Sequence, residues 1–369
     1  LRKQLILASL LGLLASSALA DDLVIGVAAP MTGPLAAIGD QIKTGATAAA
    51  DAINAKGGVK GRNVKIQVED DVCDPKQAVS VANRLAAAQV KFVDGHACSG
   101  SSIPASAVYA DNGMLMMTPA SSNPQLTEDA ATNGWTTIMR LYTRDDAQGE
   151  FIGPWIAEKY AGKKIVMLHD KSAYGEGLAN AVKAGMNKAG LQEVMFEGIN
   201  PGEKDYSAVV TKIKSMGADL VYFGGYAPEA GLMLRQAQQI GFKLNLMMGD
   251  AIATPDFWAV AGEAAEGTMF TFPADPQARP EAKQAVEAIK KTGFQPEGFT
   301  LFSYAVVEAI AAGVERAGED DPAKVAESLK NGEPVATAIG PVSFDEKGDI
   351  KGAQYDINVW KAGKYTKMQ

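Results

Sequence analysis

The sequence predicts an α/β protein of two lobes, each with a parallel-sheet core. Short β-rich apolar runs alternate with alanine-rich stretches of helical spacing along almost the whole chain, the signature of βαβ units. The alternation starts afresh near residue 142. The length of 369 residues allows about two domains with a buried core in each. In the first set, LVIGVAAP (23–30) reads as a strand. QIKTGATAAADAINAKGG (41–58) reads as a helix closed by glycines. NVKIQVED, VKFVDG and LMMTPA are strands, with PKQAVSVANRLAAAQ and SIPASAVYADNG (102–113) as the helices between them. In the second set KKIVMLHD, DLVYFGGY and NLMMGD are strands, and YGEGLANAVKAGMNKAG, YSAVVTKIKSMG and APEAGLMLRQAQQIG are helices. A late helical block follows at RPEAKQAVEAIKKTG, TLFSYAVVEAIAAGVERAG and DPAKVAESLKNG. The chain then closes on a hairpin-like tail, GPVSFDEKGDIKGAQYDINVWKAG (340–363). No low-complexity linker divides the halves, so the chain is expected to cross between lobes more than once.

Residues 1–20, LRKQLILASLLGLLASSALA, combine a basic start (Arg2, Lys3), a short apolar stretch and a small-x-small end at Ala18 and Ala20. They read as a secretory signal peptide cleaved near Ala20, with a membrane anchor as the alternative. Beyond them no apolar run approaches the roughly 18 residues of a spanning helix. The formal net charge of −8 becomes two units more negative once Arg2 and Lys3 are removed. With no basic stripe to neutralise phosphates, a nucleic-acid partner is not expected. The two cysteines, Cys73 and Cys98, enter an oxidising compartment after export and are expected to pair, against the alternative of two unrelated buried thiols. Closing that loop would contribute roughly 3 kcal/mol in the chain-entropy model.

Ligands of open parallel sheets sit outside the carboxyl ends of the strands. Four such ends are small or polar here: HACSGSS (96–102), TPASSNP (118–124), GGYAPE (224–229) and GDAIATP (249–255). Serine-flanked helix starts bind anions through free N–H groups and the helix dipole, although ordinary N-capping explains any one of them. Enzyme readings lack parts. His96 and His169 are the only histidines, and neither H-E-x-x-H nor a paired C-x-x-C occurs, so no metal site is expected. There is no G-x-S-x-G elbow and no Walker-type loop. GEGLAN (175–180) carries two of the three glycines of a dinucleotide fingerprint, with Asn180 in place of the third, and also reads as a tight turn into a helix. No cofactor is expected.

AAPMTGPLAAIGDQIKTGA, INAKGGVKGRNVKIQVEDD, CDPKQAVSVANRL, GHACSGSSIPAS, MMTPASSNPQLT, HDKSAYGEGLA, GEKDYSAVVTKIK, YFGGYAPEAGLMLRQA and SFDEKGDIKG occur in this order. Together they resemble the periplasmic branched-chain amino-acid-binding proteins over essentially the whole mature chain. The resemblance implies two Rossmann-like lobes joined by three crossover segments, the type I periplasmic binding fold, closing on a ligand by hinge motion. It places residues 21–140 and 272–350 in an N-terminal lobe and 141–271 and 351–369 in a C-terminal lobe. It also implies a periplasmic receptor that delivers aliphatic amino acids to a membrane-embedded ABC permease. A monomer is expected.

The resemblance assigns Ser99 to the ligand carboxylate, Ala120 and Ser122 to its polar head, and Asp250 to its ammonium. Tyr174, Tyr226 and Phe299 match positions lining the cleft, and Ile38, Ala97 and Cys98 fall around the side-chain pocket. Cys73 and Cys98 match the family's disulfide. Ile38 stands where close relatives often carry tyrosine, Ala97 where leucine or phenylalanine is common, and Asp250 where glutamate is usual. One methylene discriminates by roughly 1–3 kcal/mol, so these differences bear on which neutral amino acid is preferred. The expected ligands are leucine, isoleucine and valine. Alternatives are alanine or threonine, a γ-amino acid, urea or an amide on the same fold, and an exported amidase or esterase using Ser99 or Ser122 as nucleophile.

Overall fold

The computed structural model describes residues 21–352 and 354–368. The expected signal peptide, residues 1–20, lies outside the described residues. The first lobe opens with β1 (Leu23–Ala29), α1 (Ala36–Asn54), β2 (Val64–Asp70), α2 (Pro75–Ala87), β3 (Phe92–Gly95), α3 (Ser99–Asp111), β4 (Leu115–Thr118), α4 (Gln125–Asn133) and β5 (Ile138–Arg140). The five strands form one parallel sheet in the order β2-β1-β3-β4-β5. The second lobe begins with α5 (Asp145–Lys159), β6 (Ile165–His169), α6 (Ala173–Lys188), β7 (Glu193–Gly198), α7 (Ser207–Met216), β8 (Leu220–Gly224), α8 (Ala227–Gln239), β9 (Leu246–Met248), α9 (Pro255–Ala261) and β10 (Met269–Pro273). The chain then returns to the first lobe for α10 (Lys283–Lys291), α11 (Thr300–Ala317), α12 (Pro322–Asn331) and the ribbon β11 (Val335–Thr337) and β12 (Gly340–Val342). It ends in the second lobe with β13 (Tyr355–Lys361) and β14 (Lys364–Lys367).

The second sheet runs β14-β13-β10-β9-β8-β6-β7, with β7 to β10 parallel and the last two strands antiparallel. Within each lobe the first strand lies between the second and the third. Both sheets therefore reverse direction of winding beside their first strand, and that reversal opens a crevice at the carboxyl ends. The two crevices face each other across the cleft.

Local chemistry starts the helices where the sequence placed them. Asp74 caps α2 by accepting from the N–H groups of Lys76 and Gln77, with Pro75 in the first turn. Ser172 does the same for α6 through Gly175 N–H, and Asp321 for α12 through Lys324 N–H. Gly175 and Gly224 carry the close approach of α6 to the end of β8. A Cβ on Gly224 would lie 2.0 Å from the Gly175 carbonyl oxygen, so the glycines of GEGLAN serve packing. The first core gathers Ile25, Val27, Ile42, Phe92 and the apolar face of α11, all shielded from solvent.

The structure departs from the sequence expectation in several places: α1 begins at Ala36, five residues before Gln41, and β5, β7 and β10 are strands outside that expectation. The helix after β3 begins at Ser99, three residues earlier than Ser102, because Ser101 and Ser102 N–H both turn back to the Cys98 carbonyl (2.9 Å each). The second lobe boundary, expected at 271/272, falls inside β10; the strand stays paired with β13 through Pro273. The tail is not one hairpin. Residues 340–342 pair with β11 in the first lobe, whereas β13 pairs with β10 and β14 in the second. The third crossover lies between them, where Asp349 bridges to Arg140 beside the end of β5. Cys73 and Cys98 form a disulfide across a sequence separation of 25, with Cα atoms 5.6 Å apart. It ties the turn after β2 to the start of α3.

Candidate functional site

Five strand ends deliver side chains to one place. The turn after β3 brings Ala97, Cys98 and Ser99, the turn after β4 brings Ala120, β6 leads into Tyr174, β8 into Tyr226 and β9 into Asp250. Ile38 from α1 and Phe299 from the start of α11 complete the wall. These nine expected residues, with Ala251, line a small cavity between the lobes. Ser122 does not line it. Its hydroxyl is buried behind the turn, while its carbonyl accepts from Asp145 N–H (2.9 Å). Ala251 joins the wall unforeseen, as the neighbour of Asp250 in a short 3₁₀ turn.

On the first-lobe side the cavity is a donor surface. The first turn of α3 leaves N–H groups without intrahelical acceptors, and Cys98 at the cap offers no side-chain acceptor. Ser99 adds a hydroxyl that is 2% exposed and accepts from Asn123 N–H at 3.2 Å, which leaves its own proton free to donate. The turns after β3 and β4 are locked together beneath it. Thr118 Oγ1 donates to the His96 carbonyl (2.7 Å) and Ser121 Oγ reaches the His96 and Ala97 carbonyls (3.0 and 3.1 Å). Ser121 therefore fixes the turn, and Ser122, expected at the ligand's polar head, does not reach the cavity.

On the second-lobe side stands one carboxylate. Asp250 is 2% exposed, and each of its oxygens accepts a phenolic hydrogen bond: Oδ1 from Tyr174 and Oδ2 from Tyr142, both 2.7 Å. Burial raises its pKa, and the two tyrosine hydroxyls work against that rise. Its charge thus has donors but, among the described residues, no salt-bridge partner. Tyr142 was not foreseen. It lies in the first crossover, a stretch with no periodicity to mark it, and packs edge-on against Phe302 with ring centres 5.0 Å apart.

Asp145, at the first turn of α5, is a second unforeseen carboxyl close by. It is fully buried, neither oxygen has a protein hydrogen-bond donor, and the Ser122 hydroxyl lies near enough to favour its ionised form without regular bond geometry. Burial pushes it up to about 8. Its folded value stands above the unfolded value near 4, so the folded state binds the extra proton between those limits. The stability it contributes is complete at low pH and is lost as pH rises through about 8. Asp145→Asn should therefore flatten the fall in stability between pH 5 and pH 8, read as urea midpoints of parent and variant.

Arg140 underlies the whole arrangement. Its guanidinium is fully buried and donates to Asp349 Oδ1 (2.7 Å), to the carbonyls of Ser121 (3.0 Å) and Asn123 (2.9 Å), and to Thr127 Oγ1 (2.7 Å). Arg144 reaches Asp349 Oδ2 at 2.9 Å. Burial acts to raise the Asp349 carboxyl, but the two arginines outweigh it and hold it below the usual range. One ion cluster thus links the first crossover, the third crossover and the turn after β4.

Two doubly wound lobes with an enclosed dipolar cavity at their facing crevices are the architecture of a solute receptor. The sequence profile of the periplasmic binding protein family matches residues 22–364. The chain belongs to this family. Among curated relatives, a Leu/Ile/Val-binding protein homolog of Brucella melitensis is 43% identical over 355 residues, covering 96% of this chain and 95% of the relative. An amino acid binding protein of Pseudomonas aeruginosa is 45% identical over 368 residues, covering 99% and 96%. Among solved structures, a leucine-binding protein from Thermotoga maritima superposes with a TM-score of 0.85 at 29% identity, covering 94% of this chain and 98% of that one. A branched-chain amino acid transporter substrate-binding protein from Streptococcus pneumoniae, in complex with isoleucine, gives 0.84 at 26% identity, covering 93% and 97%. This periplasmic binding protein has no helix, among its described residues, long and apolar enough to cross a membrane.

Proposed function

We propose that this chain binds aliphatic L-amino acids, leucine, isoleucine and valine foremost, in the cavity between its lobes. In this reading residues 1–20 direct export, the mature protein works in the periplasm as a monomer, and the loaded form is handed to a membrane-embedded ABC permease. The observation that carries the reading is the polarity of the cavity: hydroxyl and N–H donors on one lobe, the Asp250 carboxylate on the other. A free amino acid is a zwitterion, and both of its charges must be matched when water is removed. Ser99 and the first turn of α3 take the carboxylate, Ala120 supplies backbone to the polar head, and Asp250 takes the ammonium. Ile38, Ala97, Cys98, Tyr226 and Phe299 enclose the side chain, and Tyr174 holds Asp250 in place. Only the closed state satisfies both poles, so ligand shifts the population toward closure.

Turnover is not expected. Neither histidine is free to serve Ser99 or Ser122 as a base, because the His96 ring is engaged by Asp71 (2.6 Å) and Tyr109 (2.9 Å) and His169 stacks on Phe196 with centroids 5.1 Å apart. Cys98 is no nucleophile while it is in the disulfide. Calorimetry on ligand-stripped protein tests the reading: leucine should bind saturably at one site. Release of leucine from leucine amide would replace it with hydrolysis.

A further inference from the structure

Beyond the inner cavity lies a second, wider chamber at the mouth of the cleft, open to solvent. The two share Cys98 and Tyr226 as wall residues, which sets them side by side with these two side chains between them. The lining comes from both lobes and is largely apolar, with five prolines among it, a rigid surface along which methylenes can lie.

Two carboxylates interrupt this wall, and each has one oxygen committed and one free. Asp170 Oδ1 accepts from Ser172 N–H and Oγ (2.9 and 2.6 Å), and Glu229 Oε1 accepts from Gly202 N–H (2.9 Å). Asp170 Oδ2 and Glu229 Oε2 have no hydrogen-bond donor among the described residues, although the residues are 1% and 8% exposed. The one cation in the wall, Lys171, turns its ammonium to Asn200 Oδ1 at 2.6 Å. Burial, with Glu229 as an adverse neighbour, raises Asp170 to about 6, which leaves it mostly ionised at neutral pH. Two nearly buried carboxylates, each with one oxygen open to a largely apolar chamber, suit a donor-bearing cation on an apolar stem.

We propose that the cleft also accepts amino acids whose side chains run past leucine in length and end in a primary ammonium, the tail passing Tyr226 to lie between Asp170 and Glu229. This rests on the inner cavity holding the α-amino and α-carboxyl groups as described above. Lysine and norleucine provide the comparison, since they differ only by the terminal ammonium. Calorimetry on ligand-stripped protein should show lysine binding at least tenfold more tightly than norleucine, at one site from which leucine displaces it. Glu229→Gln and Asp170→Asn should each cut the lysine preference to threefold or less while leucine affinity stays within twofold. Asp170→Asn keeps the oxygen that Ser172 uses, so the start of α6 is preserved. Norleucine binding as tightly as lysine, a preference unchanged in both variants, or lysine and leucine bound together would overturn the proposal and leave leucine binding intact. Failure of leucine itself to bind would remove the amino-acid reading, and this one with it.

Discussion

Asp250→Ala is expected to weaken leucine binding by about 2–5 kcal/mol, the cost of leaving a buried ammonium without its counter-charge. The carboxylate is 2% exposed and its two hydrogen bonds come from phenols, which orient it without neutralising it. Its raised pKa marks the same imbalance. An arriving ammonium removes that imbalance by bringing the missing positive charge. Truncation should therefore separate two quantities. Affinity falls steeply, while the thermal stability of the ligand-free protein changes little, relief of a desolvated charge offsetting the two buried phenols left without an acceptor. Calorimetry and a melting curve on the same sample read both. Unchanged affinity would take Asp250 out of the site; a large loss of stability in the ligand-free form would make its role structural.

Arg140→Met is expected to cost about 3–5 kcal/mol of stability, the usual consequence of removing one partner of a buried ion pair. Methionine keeps the apolar stem but leaves Asp349, which is 4% exposed, with Arg144 as its remaining cation and its Oδ1 without the Arg140 donor, and withdraws the donor from the carbonyls of Ser121 and Asn123. Asp349 has a lowered pKa in the fold, so its contribution is present above the unfolded value and is lost as pH falls through the folded one. Parent and Arg140→Met should thus converge in acid. The double change Arg140→Met with Asp349→Leu should recover part of the loss, because no charge is then left buried alone. Urea midpoints at pH 7 and pH 3 measure both effects. Equal losses at the two pH values would assign Arg140 to packing alone.

Much of the fold was legible because βα alternation is a local signal. The runs LVIGVAAP, KKIVMLHD and DLVYFGGY each coincide with a strand of a parallel sheet. The four small or polar strand ends were legible for the same reason, since a parallel strand presents its ligand-facing residues immediately after its last apolar position. What escaped depends on residues that meet across long separations. Arg140 and Asp349 stand 209 positions apart, and neither lies in a periodic segment. Tyr142 and Asp145 occupy the first crossover and the turn beyond it, where no repeat distinguishes a buried side chain from a solvated one. Ser122 was assigned to the ligand's polar head by resemblance, and sequence gives no rotational phase for a turn that would show which way its hydroxyl faces. The structure gives Ser121 the bonds that hold the turn and buries Ser122 beside Asp145. The tail misled because two ribbons, one per lobe, flank a crossover that is itself extended.

A crystal structure of the protein grown with leucine tests the central claim most directly. The account predicts the leucine carboxylate against Ser99 and the first turn of α3, with its ammonium against Asp250 in the opposite lobe. Leucine bound outside this cavity, or touching residues of one lobe only, would contradict it.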